Sequence, residues 1–320
     1  MTHPIVTTTA RAEFCASSYS NQIPTCDTPA VTTMSSPSTE STPSRTFPTF
    51  FMSHGGGPSF FMDVPPNHPF FAISKHSKNA QWLRDFTKTY NLQGDAAPKA
   101  VVFVSAHWET NGQTVRVTSR EQHTKLLYDY GGFPRETYNL KFQPKGAPKV
   151  SQRIVELLGA AGIRAELDTK WEFDHGVFIP GLMIWPDADV PVVEISIDSS
   201  WDPAFHFNVG RALQSLKNEG ILLIASGSLT HNFNPEERAN REFLKAFAEL
   251  VEDPSLSTEE RARKTVLEWT KIPSARKAHP AEDHFVPYFV ACGAAGDQKG
   301  KVVGKVDPPG SWHLGSVKFE

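Results

Sequence analysis

Residues 99–110 read KAVVFVSAHWET, an apolar run that stops at a histidine flanked by Ser105 and Trp108. Residues 101–104 show no polar alternation, which is how a strand covered on both faces reads, and such strands belong to parallel sheets lying under helices. This stretch argues for a layered α/β fold. In open α/β sheets the carboxyl ends of strands form the crevice in which ligands bind, so His107 is a candidate for chemistry. The placement recurs, because PTFFMS at 48–53 runs into His54 and ILLIA at 221–225 is followed by SGSLT and His231. Three histidines at or just beyond strand ends point to one shared site, a sheet presenting imidazoles to a metal.

The rest of the chain alternates in the same sense. A helix is expected over 79–90, where Trp82, Phe86 and Tyr90 recur on one face, and a half-exposed strand over TVRVT at 114–118. A turn-rich aromatic segment, YDYGGFPRETYNLKFQPKGAP, follows, with tyrosines expected to line a pocket. Then come a helix at 150–161 ended by Gly162, a strand at 163–167, a strand at 190–197, a helix at 205–218 stopped by Gly220, and the strand at 221–225. A helix is expected over 241–251, and Ser257 with Glu260 forms a capping box for a helix ending near Trp269. A last helix is expected to start at Pro280, which puts His284 in its first turn. The rhythm predicts a single α/β domain, with a central, mostly parallel sheet, helices on both faces and a metal site at the strand carboxyl ends.

Residues 1–46 contain 19 Ser or Thr and few large apolar residues, so they cannot bury enough surface to offset ordering entropy. They read as a disordered Ser/Thr/Pro-rich extension, and 47–320 as the catalytic domain. The net charge of −3 and the absence of a long Lys/Arg block argue against nucleic acid as a partner. The three cysteines, Cys15, Cys26 and Cys292, form no CxxC pair, and no 18-residue apolar stretch is available to span a bilayer. These features predict a soluble, cytoplasmic protein acting on a small molecule.

Of twelve histidines, five keep unusual company: His54 before a glycine run, His107 in SAHWE, His175 in FDHGVFIPG, His231 in GSLTHN and His284 in AEDHF. The others, among them His123, His206 and His279, are expected at the surface or as caps. Neutral imidazole is the commonest metal donor, and three such ligands with open positions remaining mark a catalytic site. A rival set uses His107 and Glu109 as an HxE pair with a distant histidine, the facial triad of non-heme iron oxygenases. A serine nucleophile in SGSLTH is disfavoured, since GxSxG is absent. The glycines of HGGG read as a tight turn that leaves room beside the metal.

Taken in order, HGGGP, SAHWET, YDYGGFP, DHGVFIPGLMIWPDADVPVVEISID, ASGSLTHNF and HPAEDHFVPYFVACGAAG resemble the class III extradiol ring-cleaving dioxygenase family, LigB-type, and within it the DOPA 4,5-dioxygenase branch. The resemblance runs from about Phe50 to the carboxyl terminus. It implies His54, His107 and His284 as metal ligands, His231 as an acid-base residue beside the metal, and His175 as the residue that holds a substrate oxygen. It further implies iron(II) as the working metal, with zinc able to occupy the same site, and a DOPA-like catechol with O2 as substrates, opened to a muconic semialdehyde. HGGGP stands where the family usually has HGSP, and KFQPKG where YPAPG is expected. Phe142 and Lys145 therefore mark a changed loop, expected to border the pocket. Two other readings of the same fold are a zinc-dependent hydrolase and a non-catalytic, Memo-like interaction protein.

Overall fold

The computed structural model describes residues 45–68, 70–232, 237–306 and 314–320. The expected disordered extension lies outside the described residues up to position 44. Arg45 and Thr46 are already tied to the body. The Arg45 guanidinium donates to the carbonyls of Asn91, Ala96 and Tyr90, and Thr46 Oγ1 donates to Asn218.

Among the described residues eight strands form one sheet: β1 (Thr49–Ser53), β2 (Ala100–Thr110), β3 (Thr114–Thr118), β4 (Arg164–Asp168), β5 (Val192–Asp198), β6 (Ile221–Gly227), β7 (Gly300–Val306) and β8 (Leu314–Phe319). Their order is β4-β3-β5-β2-β6-β1-β8-β7. The middle four, β5, β2, β6 and β1, run parallel. β8 is antiparallel to β1, and β7 to β8; β3 is parallel to β4 and antiparallel to β5. The mostly parallel α/β domain expected from the sequence is the one observed.

The unbroken apolar run of β2 has its explanation in two cores. Val102 and Val104 face one layer and Val101 and Phe103 the other, all four with no exposed surface. The first layer contains Ile154 and Leu158 of helix Pro148–Ala160, Val209 of helix Pro203–Ala212, Phe243 and Phe247 of helix Glu237–Glu252, and Phe289 of helix Val286–Ala295. The second contains Leu83 of helix Lys78–Arg84 and Phe178 and Ile179 of helix His175–Ile184. Side chains that alternate across a strand must be apolar on both sides when helices cover both faces. Each fully buried side chain of this size contributes about 1.5–3 kcal/mol.

Several details differ from the sequence reading. The helix expected over 79–90 breaks at Asp85 into Lys78–Arg84 and Phe86–Thr89, although Trp82, Phe86 and Tyr90 do pack on one another. The helix expected from Pro280 starts at Val286, with Pro287 in its first turn, so His284 lies in the turn before the helix. Helix His175–Ile184 and strands β7 and β8 were not anticipated. The helix is apolar all round and carries Gly176, Pro180 and Gly181, so it lacks a periodic stripe. His123, His206 and His279 are buried rather than superficial. His206 accepts the Asp198 backbone N–H and His279 bonds the Leu229 carbonyl, whereas His123 stacks on Phe173.

Candidate metal centre

Strands β2, β6 and β1 are neighbours, so their carboxyl ends lie side by side. His54 follows β1 directly, and its backbone N–H donates to the Gly227 carbonyl at the end of β6. His107 does not follow β2, as the sequence suggested, but belongs to it. The pairing of β2 with β5 jumps from Ser105↔Ser196 to Glu109↔Ile197, so Ala106, His107 and Trp108 form a bulge. A bulge re-aims side chains that a regular pleat would hold on fixed faces. His284 reaches the same place from the other direction, because its carbonyl accepts the Ser228 backbone N–H.

The Nε2 atom of His107 lies 3.2 Å from Nε2 of His54 and 3.1 Å from Nε2 of His284. The opposite nitrogen of each ring is engaged. Nδ1 of His54 is 2.9 Å from Ser226 Oγ, whose own proton goes to the Gly176 carbonyl, so the hydroxyl accepts from an Nδ1–H. Nδ1 of His284 is 2.7 Å from Asp283 Oδ2, and Nδ1 of His107 is 3.2 Å from Asp129 Oδ2. A carboxylate only accepts, so His284 also carries its proton on Nδ1, and the Asp129 charge beside Nδ1 of His107 favours the same tautomer there. Three Nε2 lone pairs thus face one another with no proton between them. Such a cluster is repulsive unless a cation sits among the nitrogens.

Neutral imidazoles are the donors that divalent transition metals take. Two nitrogens bound at about 2.1 Å lie roughly 3.0 Å apart at a right angle and about 3.4 Å apart in a tetrahedron. The two separations from His107 fall in that range, so the donor set of His54, His107 and His284 fits a metal ion. Among the described residues two further groupings overlap this one. Ligand atoms of His54, His107 and His175 lie within 4.8 Å of one another, as do those of His231, Asp283 and His284. In the trio His107 is the central donor, with an Nε2 contact to each of the other two.

The three rings do not share one electrostatic setting. Burial pushes His54 well below the ordinary imidazole value, and the neighbouring imidazoles His107, His284, His175 and His231 push it further. Burial likewise takes His284 down to about 3, against the opposing bond from Asp283. His107 is raised, since its bond to Asp129 and the charges of Asp174, Asp129 and Asp283 outweigh burial. Burial raises the carboxyls of Asp129 and Asp283, but the bonds and charges of their histidine partners win and hold both low.

The two remaining candidates flank this trio. His175 is the first residue of its helix, N-capped by Asp174, and its Nδ1 lies 2.9 Å from Asp129 Oδ1. Its ring is 3.9 Å from that of His107 and 5.8 Å from that of Tyr130, which places an aromatic wall beside it. His231 stacks on His284 at 3.5 Å, with Nδ1 3.7 Å from Asp283 Oδ1. All five histidines singled out in the sequence therefore meet. Glu109 does not join them, because it is exposed and accepts from Trp201 Nε1 at 2.8 Å. The HxE pair is thereby corrected. Phe142 also misses the pocket, since it is buried against Phe173 and Gly181 beneath the helix that carries His175.

Residues 48–309 match the family of the catalytic LigB subunit of aromatic ring-opening dioxygenase. The chain belongs to that family. It is 34% identical over 277 residues to a 4,5-DOPA dioxygenase extradiol of Beta vulgaris, covering 85% of this chain and 96% of the relative. It is 37% identical over 231 residues to the protein of that name from Portulaca grandiflora, covering 69% of this chain and 82% of the relative. A crystal structure of an uncharacterized protein from Escherichia coli K12 matches with a TM-score of 0.59 and 27% identity, over 86% of this chain and 100% of that one. The family and these relatives make the chain an extradiol ring-cleaving dioxygenase, metal-dependent and acting with O2 on a small molecule. No helix among the described residues is long and apolar enough to cross a membrane.

Sequence reasoning missed Ser226, Asp129 and Asp283. Asp283 adjoins His284 and Ser226 lies on β6, so both had a local signal. Asp129 had none, being an acid between two tyrosines.

Proposed function

We propose that residues 47–320 form a catalytic domain that opens the ring of a DOPA-like catechol with O2, beside rather than between its two hydroxyls, to a muconic semialdehyde. The observation that carries this reading is the set of three Nε2 lone pairs converging beside two further imidazoles. In it His54, His107 and His284 hold the working metal, iron(II), and zinc fits the same donors. Bound there, iron(II) would supply the redox chemistry by which O2 and a catechol react.

The chain's own part is orientation and proton transfer. His231, stacked over His284, takes a hydroxyl proton from the catechol and later returns it to the oxygen that needs one. An imidazole suits both steps because its ordinary pKa lies near neutrality. His175 holds the other substrate oxygen, and Tyr130 packs beside it as an apolar wall for the ring. Asp129 and Asp283 hold the imidazoles in their tautomers.

The test is anaerobic reconstitution of the apoprotein with iron(II), addition of L-DOPA, then air. Oxygen uptake equal to the catechol consumed, with a yellow product and loss of both in His231→Ala, is the expected result. No uptake across a panel of catechols despite bound iron would remove the proposal.

A further inference from the structure

Asp129 touches both halves of the site at once. Its Oδ2 lies 3.2 Å from Nδ1 of His107, while its Oδ1 lies 2.9 Å from Nδ1 of His175 and accepts the His175 backbone N–H at 3.0 Å. The carboxylate is mostly buried, and its anchoring on the first N–H of helix His175–Ile184 places a negative charge where the helix dipole favours one. Asp283 offers a partial counterpart, bonded to His284 at 2.7 Å but 3.7 Å from His231. Among the described residues of the cluster, Asp129 is the carboxylate with two imidazole nitrogens within 3.2 Å.

We propose that Asp129 is a positioning residue that fixes the tautomers of His107 and His175 together, tying the metal-facing nitrogen of one to the substrate-facing nitrogen of the other. A carboxylate has no proton to give, so both rings must place theirs on Nδ1. His107 then keeps its Nε2 lone pair for the metal. His175 keeps its Nε2 lone pair too, and therefore meets a substrate hydroxyl as a proton acceptor rather than as a donor. An amide in place of the carboxylate cannot serve both rings, because its NH2 donates. One imidazole must then accept at Nδ1 and move its proton to Nε2. Loss of the carboxylate's charge weakens the support of both rings, and the ring that gives way also loses its lone pair, at the metal if it is His107 and at the substrate if it is His175. The part concerning substrate rests on the dioxygenase reading above; the part concerning His107 and the metal does not.

The experiment uses the full chain loaded with zinc, which is diamagnetic, and reads the ring nitrogens by long-range 1H–15N correlation. In the unaltered protein both His107 and His175 should carry the proton on Nδ1, and an Nε2–H signal from either overturns the proposal without any variant. Asp129→Asn should weaken zinc binding about 10- to 100-fold in a chelator competition. It should also convert one of the two rings to the other tautomer and weaken anaerobic L-DOPA binding to the zinc-saturated protein. Asp283→Asn should weaken zinc binding while leaving the His175 tautomer as it was. A folded Asp129→Asn protein with unchanged zinc affinity and unchanged tautomers refutes the role. If zinc affinity and tautomers change as expected but L-DOPA binds to neither protein, the substrate assignment fails and the role of Asp129 stands.

Discussion

The carbonyl oxygen of His284 lies 2.2 Å from the place where a β-carbon on Gly227 would stand. The same oxygen accepts the Ser228 backbone N–H at 2.8 Å, so the end of β6 and the turn holding His284 are in direct backbone contact. Glycine is the residue that allows this approach. Gly227→Ala should push His284 away from His54 and His107, costing about 1–3 kcal/mol of stability by overpacking. Denaturant unfolding should show that loss, and chelator competition should show weaker metal binding in the protein that remains folded.

Ser226 ties Nδ1 of His54 to the Gly176 carbonyl. Removing its hydroxyl frees the His54 ring to rotate and to change tautomer. Ser226→Ala should therefore weaken metal binding by about 10-fold or somewhat more, the usual effect of losing an outer partner of a ligand. An unchanged dissociation constant would show that His54 is not a ligand.

Glu109 faces Trp201, away from the imidazoles. Glu109→Gln should leave metal stoichiometry and affinity as they are. Loss of metal in this variant would revive the HxE pair.

His123 is almost fully buried, stacked 3.8 Å from Phe173, and burial with the nearby Arg120 charge lowers it from 6.5 to about 4. Its folded value lies below its unfolded value, so between about pH 6.5 and 4 the unfolded chain binds more protons. The stability that neutral His123 allows is complete above pH 6.5 and declines as pH falls through that window. One group contributes a slope of at most roughly 1.4 kcal/mol per pH unit. His123→Phe should flatten the fall of unfolding free energy across the window by up to that amount. Equal slopes in both proteins would mean that His123 is hydrated in the native state.

Phe142 fills the space beneath Gly181 and meets Phe173 in the core. Phe142→Ala should cost about 3–5 kcal/mol of stability, as large-to-small core changes do. A change in KM for catechol with no loss of stability would instead put Phe142 in the pocket.

Local patterning determined the layered α/β class, because residues 101–104 are apolar at every position and only a strand between two helical layers has use for that. It also marked His54, His107 and His231, since a strand that ends in a polar group opens onto the crevice, whereas His175 and His284 stood out only by their neighbours in sequence. The bulge at His107 was hidden in it, because a bulge is defined by the partner strand, and β5 begins some ninety positions later. Helix His175–Ile184 was hidden for a different reason: buried on all sides, it has no polar face to set a period. The exclusion of Glu109 and the sharing of Asp129 by His107 and His175 depend on side-chain direction, which spacing along a chain does not encode. The sequence determined which residue types arrive at the strand ends. The tertiary structure decided which nitrogen of each ring faces the centre, because that depends on hydrogen-bond partners brought in by distant segments.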